Sequence, residues 1–178
     1  FPDTYRFSPE MKPEAIIEKF LRNFDAKVAK RIKTQFATEE NQSLFSILIL
    51  ASLVEKEAAT SLDRRLISGI LWRRLELDIP LQVDATVIYA WKLLNPNWKP
   101  QKHTLAAADL KINSPYNTYK IKGLPPGPIA NPGFDAIEAA LEPQDSPYWY
   151  YLSTKDGKTI FSKTFEEHKA AKGKYLSN

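Results

Sequence analysis

Two glutamates stand at the end of the most apolar stretch of this sequence. The run from Leu44 to Val54 is almost entirely apolar, and Glu55, Lys56 and Glu57 follow it directly. On a helix that turns by about 100° per residue, Glu57 falls on a different side from Glu55 and Lys56. Its neighbours one and two turns earlier are all apolar: Leu50, Leu53 and Val54.

This placement gives Glu57 the character of a candidate acid catalyst. If the helix continues through Glu57, its carboxyl group points along an apolar face, and burial there raises the pKa. A carboxylic acid that stays protonated near neutral pH can donate a proton to a leaving oxygen. The alternative is that the helix ends here and Glu57 is solvated. Glu55 and Lys56 are expected to be surface or supporting residues.

Composition excludes several classes of site. The chain has 178 residues, no cysteine and two histidines, His103 and His168, which do not form a ligand-spaced cluster. Disulfides, thiolate chemistry, a zinc site and a serine–histidine triad are therefore not expected, and neither is a metal or cofactor. The net charge of +4 is mild and no nucleic-acid-binding motif occurs, so we expect no nucleic-acid partner. No apolar run reaches the roughly 18 residues of a membrane span.

The first half of the chain has helical spacing. One helix follows Pro13, a second is expected from about Thr38 to Ala59, and a third begins after Ser61 and stops before Pro80. The apolar face of the first helix consists of Ile16, Ile17, Phe20, Leu21 and Phe24. In the third helix, four arginines fall mainly on the side opposite the apolar residues: Arg64, Arg65, Arg73 and Arg74.

The second half favours loops and short strands, since ten of the 13 prolines lie between residues 80 and 147. LQVDATVIYAW is typical of a strand that runs into a short helix. YWYYLSTKDGKTIFS predicts a hairpin that turns at Asp156-Gly157, and Thr164 with Glu167 predicts the cap of a final helix. We therefore expect an α+β fold, in which a helical N-terminal half packs with a small, mainly antiparallel sheet and long ordered loops.

Four motifs, in this order and at matching spacing, give the sequence a specific resemblance: ASLVEKEA, LQVDATVIYA, SPYNTY and GLPPGPIANPG. Together with the opening FPDTYRF, they resemble the catalytic domain of the YceG-like (MltG) endolytic murein transglycosylases. The resemblance covers essentially the whole chain. It implies a single catalytic domain over residues 1–178, excised from a protein with a membrane anchor and a LysM-like domain upstream. Ala85 departs from the pattern, because many relatives have proline there.

The resemblance implies a lyase that acts on peptidoglycan. The family cleaves the β-1,4 bond between N-acetylmuramic acid and N-acetylglucosamine in nascent glycan strands and leaves 1,6-anhydro-muramyl ends, which terminates elongation. The essential acid of the family is the second glutamate of its V-E-K-E motif, here Glu57. One carboxyl group can suffice, because the C6 hydroxyl of the sugar is itself the nucleophile. The alternative is a non-catalytic peptidoglycan-binding or scaffold domain.

The two central motifs are expected to line the glycan groove with amides, hydroxyls, carboxylates and aromatic rings. The candidate substrate-binding residues are Gln82, Asp84, Thr86, Tyr116, Asn117, Thr118 and Tyr119. Structural roles stay open beside this one. Gln82 and Thr86 can form strand or cap hydrogen bonds, and Asn117 can form an Asx turn. Asp84 can cap a helix or orient Glu57.

The resemblance also implies a place of action. It puts the catalytic domain on the extracytoplasmic face of the cytoplasmic membrane, held by a single-pass anchor that lies outside this sequence. Cell-wall synthases are the protein partners it implies, and glycan strands are the substrate.

Overall fold

The computed structural model describes residues 1–35, 43–100 and 105–176, and it confirms the predicted α+β class. The helices in this part of the chain are α1 Pro13–Phe24, α2 Lys30–Gln35, α3 Leu44–Glu57, α4 Ser61–Glu76, α5 Asp84–Leu94, α6 Phe134–Leu141 and α7 Phe165–Tyr175. A π-helical turn, Asp25–Ala29, joins α1 to α2, and a 3-10 turn spans Asp109–Lys111. The antiparallel hairpin consists of β1 Tyr150–Ser153 and β2 Thr159–Ser162.

Helix α3 lies at the centre of the core. It begins where the Ser43 hydroxyl accepts a hydrogen bond from the Ser46 backbone N–H at 3.1 Å. Seven of its residues are buried, and α4, α5 and α6 pack around it. Each fully buried Leu or Ile contributes about 2 kcal/mol to stability. The predicted start near Thr38 lies outside the described residues. The predicted end is close, since the helix runs through Glu57 and Ala58 is extended.

Helix α4 follows the predicted pattern except at Arg74. The Thr60 side chain caps the helix, and the apolar face packs on α3 and α6. Arg74 was assigned to the polar side of the helix, opposite the apolar residues, but it is only 9% exposed. The hairpin covers this end of the helix, and the Arg74 guanidinium lies 5.7 Å from the centre of the Tyr150 ring.

The apolar face predicted for α1 is only partly covered. Phe20 packs edge-on against Tyr5 and Phe7 of the N-terminal segment. Ile17 and Leu21, however, are 57% and 62% exposed. Helical spacing identified the helix correctly, but it did not indicate how much of its apolar face would be covered by other residues.

The strand predicted at LQV is absent from the described structure. Gln82 has a left-handed backbone with φ of 56°, which interrupts an extended segment. The segment pairs instead with the loop at Thr118, whose carbonyl accepts from the Gln82 N–H at 3.0 Å. The Thr118 hydroxyl accepts from the Val83 N–H at 3.0 Å. Helix α5 therefore begins at Asp84.

The hairpin and the final helix agree with their predictions. Tyr150 pairs with Ser162 and Ser153 with Thr159, and Gly157 takes the left-handed turn conformation at φ 81°. The Thr164 hydroxyl caps α7 by accepting from the Glu167 N–H at 3.2 Å. Helix α7 packs on both strands and so comes beside the end of α4. In the described part of the chain, none of the helices has the length and apolar character needed to cross a bilayer.

Gly69 marks the closest approach between α4 and the segment after α6. A Cβ atom at this position would lie 2.2 Å from the Gln144 carbonyl oxygen. Alanine normally stabilises a helix relative to glycine by about 0.5–1 kcal/mol, but this clash is larger. We expect Gly69→Ala to lower the free energy of unfolding by about 1–3 kcal/mol in chemical denaturation.

Gly173→Ala in α7 is the matched control, because nothing lies within 4 Å of the added Cβ. This variant should be stabilised by up to about 1 kcal/mol. A Gly69→Ala protein as stable as Gly173→Ala would contradict the close packing described for α4.

Candidate active site

A cleft of about 520 Å³ opens where the end of α3 meets the start of α5 and the hairpin. Glu57 lines it, with Gln82 and Asp84 from the start of α5 and Tyr119 from the following loop. Further lining residues come from α4, β1 and α7: Arg74, Tyr151, Ser153, His168 and Lys172. Of the two central motifs predicted to line the groove, LQVDATVIYA contributes Gln82 and Asp84 and SPYNTY contributes Tyr119, and the hairpin and α7 complete the cleft.

The sequence left open whether Glu57 is buried on an apolar face or lies at the end of the helix, and the structure shows features of both. It is the last residue of α3 and is half-buried as a whole, while protein surrounds its carboxyl group. Burial, and to a smaller extent the negative charge of Asp84, raise the pKa of Glu57 from 4.5 to about 7. Polar contacts with the Tyr151 hydroxyl and the Ala85 backbone N–H act in the opposite direction. A group that is partly protonated near neutral pH can serve as either acid or base.

Asp84 is the second carboxyl group of the cleft. It is the first residue of α5, where the helix dipole favours negative charge. It also accepts a hydrogen bond from the Tyr119 hydroxyl. Two carboxyl groups with such different surroundings suit different roles, one as a proton donor and the other as a fixed negative charge.

Two tyrosines supply hydroxyl donors to these carboxyl groups. Burial raises the pKa of both Tyr119 and Tyr151, and the neighbouring carboxylates raise it further. Both side chains therefore stay protonated and can donate. Tyr119 was among the predicted site residues, whereas Tyr151 was not. The run of four consecutive aromatic residues from Tyr148 to Tyr151 was the only signal for Tyr151, and it did not indicate which ring would face Glu57.

Gln82 reaches the cleft and contacts Arg74. Its side-chain oxygen accepts a hydrogen bond from Arg74 Nη2 at 2.9 Å. This bond fixes the side-chain amide of Gln82, whose backbone is left-handed. Gln82 is therefore part of the cleft wall. Direct contact between Gln82 and a ligand stays a prediction.

Three predicted binding residues lie in the interior instead of on the cleft: Thr86, Asn117 and Thr118, each with 0% exposure. The Thr86 hydroxyl donates to the Val83 carbonyl at 2.7 Å and lies 2.9 Å from the Thr118 hydroxyl. The Asn117 side chain accepts from the Tyr119 N–H at 3.1 Å, which is the Asx turn considered above. The structure does not support direct ligand contact for these residues. They hold the loop and the start of α5 together, and so they position Asp84.

Tyr116 lies apart from the cleft. Its ring packs against Tyr89 with the centres 4.8 Å apart. Tyr89 lines a separate apolar pocket of about 480 Å³ that also contains Phe1, Phe24 and Ile129. The structure therefore does not bring Tyr116 together with Glu57.

The other glutamate of the motif has a structural contact. Glu55 Oε2 accepts a hydrogen bond from the Gly133 N–H at 3.2 Å, at the start of α6. The Ser52 hydroxyl accepts from the Ile129 N–H at 3.0 Å. The GLPPGPIANPG loop is thus fastened to α3 at two points, and Glu55 and Glu57 face different parts of the protein. Among the described residues, no group of three or more His, Asp or Glu is arranged to hold a metal ion.

The comparisons with known proteins agree on one family. The sequence model of the YceG-like family matches residues 1–174. The chain is 40% identical to an endolytic murein transglycosylase of Bacillus subtilis over its whole length, which is 47% of that protein. It is 35% identical to an endolytic murein transglycosylase of Streptococcus pneumoniae, covering 94% of this chain and 30% of the relative.

A solved structure gives the same result for the fold. A crystal structure of a yceG-like protein from Listeria monocytogenes superposes with a TM-score of 0.81 at 40% identity, and it covers 96% of this chain and 53% of that one. The chain therefore spans about half the length, or less, of the relatives it matches.

The raised pKa of Glu57 predicts a pH-dependent stability. The carboxyl has a pKa of 4.5 when unperturbed and about 7 in the folded protein, so the folded state binds more protons between these values. The free energy of unfolding should fall as pH rises through this window and then level off. The contribution of Glu57 to this fall is about 3 kcal/mol.

Chemical unfolding at about pH 5 and about pH 8 measures this contribution. Glu57→Gln should remove that part of the pH dependence, whereas Glu55→Gln should keep it. Identical pH dependence in the Glu57→Gln variant and the unmodified chain would show that the carboxyl is not buried as described.

Proposed function

The chain belongs to the YceG-like family, and on this premise we propose that it is an endolytic peptidoglycan lytic transglycosylase domain. It cleaves the β-1,4 bond between N-acetylmuramic acid and N-acetylglucosamine inside glycan strands and leaves 1,6-anhydro-muramyl ends. The observation that carries the proposal is the buried carboxyl of Glu57, with a pKa of about 7, in an open cleft. The name of the relatives, endolytic murein transglycosylase, supports it.

The proposed reaction uses Glu57 twice. The protonated carboxyl gives its proton to the glycosidic oxygen, and the bond from that oxygen to the muramyl C1 breaks. The C6 hydroxyl of the same sugar attacks C1, and the Glu57 carboxylate takes up the hydroxyl proton. The products are a strand that begins with a free 4-hydroxyl on N-acetylglucosamine and a strand that ends in 1,6-anhydro-muramic acid. No water is consumed, and Glu57 ends protonated as it began.

The surroundings of Glu57 suit this cycle. The negative charge of Asp84 favours the protonated carboxyl before reaction and can stabilise positive charge that develops at C1. The Tyr151 hydroxyl can donate to the carboxylate that forms after proton transfer. A pKa near 7 lets the same group give and take a proton without a large energetic cost in either direction.

The position of Asp84 in the cleft also suits a second candidate reaction, hydrolysis of the glycosidic bond. Glycosidases that add water use two carboxyl groups, and Asp84 lies in the same cleft as Glu57. If Asp84 holds a water molecule against C1, the product is a reducing end instead of an anhydro end. A purely binding or scaffold domain is less well supported, because binding does not require a buried carboxyl beside a second carboxylate.

The place of action is part of the proposal. We propose that the domain acts on the extracytoplasmic face of the cytoplasmic membrane, anchored by a segment outside this sequence and close to cell-wall synthases. The greater length of the relatives leaves room for such a segment. Crosslinking in intact cells, with a cytoplasmic marker as the negative control, tests both the location and the neighbours.

Digestion of purified glycan strands, with mass spectrometry of the products, tests the reaction. We expect anhydro-ended fragments from the unmodified chain and a loss of about 10²- to 10⁴-fold in rate for Glu57→Gln, since the amide cannot transfer a proton. Glu55→Gln should remain active. Unchanged anhydro product in Glu57→Gln would refute the assigned acid, and reducing-end product would establish the hydrolytic alternative.

The pH dependence of the rate gives an independent test. Because the reaction begins with protonated Glu57, kcat/KM should decrease about tenfold per pH unit above the Glu57 pKa of about 7. Asp84→Asn removes a charge that raises this pKa, so the decrease should begin at lower pH in that variant. A decrease that begins at the same pH in both proteins would contradict the coupling of these two carboxyl groups.

A further inference from the structure

The wall of the cleft contributed by α4 and α7 carries a positive charge that the proposed reaction does not use. Arg74 from α4 and His168 from α7 both line the cleft, and both are more than nine-tenths buried, at 9% and 7% exposure. They contact the same ring: Arg74 Cζ lies 5.7 Å from the centre of Tyr150, and the His168 ring lies 5.3 Å from it at an angle of 25°. The two side chains therefore form one cluster.

Arg74 has no direct ion-pair partner among the described residues. Within the described residues, no carboxylate oxygen lies within 4.0 Å of the Arg74 guanidinium, and its Nη2 bonds to the neutral amide of Gln82. Burial lowers the pKa of both Arg74 and His168, and the positive charges of Lys172 and Arg74 lower that of His168 further. A buried cation without a counter-ion is costly, and its retention calls for an explanation.

Two buried polar atoms of the cluster also lack partners. Nε of Arg74 and Nδ1 of His168 have no hydrogen bond in the part of the chain that the structure describes. A buried polar atom without a hydrogen-bond partner destabilises the folded protein. These two atoms are closed off from solvent, but Arg74 itself lines the cleft. An anion there would accept hydrogen bonds from the accessible part of the guanidinium and balance its charge.

We propose that Arg74 and His168 form a subsite for a carboxylate of the muramyl unit. The inference rests on the proposed function, since it assumes a glycan in the cleft. N-acetylglucosamine carries no carboxylate, whereas a muramyl unit carries one on its lactyl group or, when that group is amide-linked, on its stem peptide. The subsite thus distinguishes the two sugars of the strand and fixes which of them lies at Glu57. Arg74 provides the main interaction, because a guanidinium keeps its charge at every physiological pH.

Binding to a chain that cannot react tests the proposal. In the Glu57→Gln background, calorimetry compares three probes: a stem-free muramyl tetrasaccharide, the same glycan with stem peptides, and chitotetraose, which has the same β-1,4 linkages but no carboxylate. We expect a carboxylate-bearing probe to bind about tenfold to a hundredfold more tightly than chitotetraose. Adding Arg74→Gln should remove this advantage, because it weakens binding of the carboxylate-bearing probe more than binding of chitotetraose.

The probes also identify the source of the carboxylate. An Arg74-dependent advantage for the stem-free glycan assigns the subsite to the lactyl carboxylate, and an advantage confined to the stem-bearing glycan assigns it to the peptide. Arg65→Gln, which removes an exposed arginine of the same helix that pairs with Glu142, should keep the advantage. Arg74→Lys should keep part of it, since the charge remains without the guanidinium geometry.

Nuclear magnetic resonance of the imidazole gives a readout that a merely structural role would not change. The chain has two histidines, so a His103→Gln variant identifies the His168 signal. The carboxylate-bearing probe should raise the pKa of His168, and chitotetraose should not. This titration needs no Arg74 variant and remains valid if Arg74→Gln does not fold, which thermal unfolding reveals.

The outcomes separate the subsite from the proposed function. Equal binding of chitotetraose and both muramyl probes, or an advantage that survives Arg74→Gln, would overturn the subsite and leave the glycan cleavage intact. Absence of binding to all three probes, together with absence of cleavage, would overturn both.

Discussion

The geometry of this protein depends on where helix α3 stops. The helix ends at Glu57, the backbone is extended at Ala58, and the Glu57 side chain lines the cleft beside Asp84. Because α3 is apolar on nearly every side, its position is fixed by packing against three other helices. Such a core resists sliding, since any shift opens cavities or creates clashes. The Glu57 carboxyl is therefore attached to a tightly packed helix, and the other cleft residues are brought to it.

Two sets of hydrogen bonds hold the neighbouring segments in place around the end of α3. The proline-rich loop is fastened through hydrogen bonds to Ser52 and Glu55, which lie one turn apart on α3. The start of α5 is fastened through the buried hydroxyls of Thr86 and Thr118, which satisfy backbone groups around Gln82 and Val83. These bonds contribute little individually to stability, but an unsatisfied buried group would cost more. Their main effect is to fix Asp84 relative to Glu57.

Local features of the fold and of the cleft could be predicted from the sequence, whereas long-range features could not. Helix α4, the hairpin and the cap of α7 depend on residues close together in the chain, so spacing and turn chemistry identified them. Glu57 also had a local signal, because its apolar neighbours lie on its own helix. The burial of Arg74 and the position of Tyr151 depend on how the hairpin returns across α4, about 75 residues later. No local pattern carries that information.

The interior placement of Thr86, Asn117 and Thr118 illustrates the same limit. Hydroxyl and amide side chains suit sugars and buried backbone groups equally well, so residue type alone does not separate the two uses. The distinction requires knowing that the loop around Thr118 lies against the chain before α5. In this contact the three side chains form hydrogen bonds within the protein, so they are not available to a ligand. The residues that line the cleft are different ones, and several of them are charged. The two groups on which the proposals rest follow this division. Within the described residues, Arg74 lines the cleft without an ion-pair partner, and Glu57 lies beside the negative charge of Asp84.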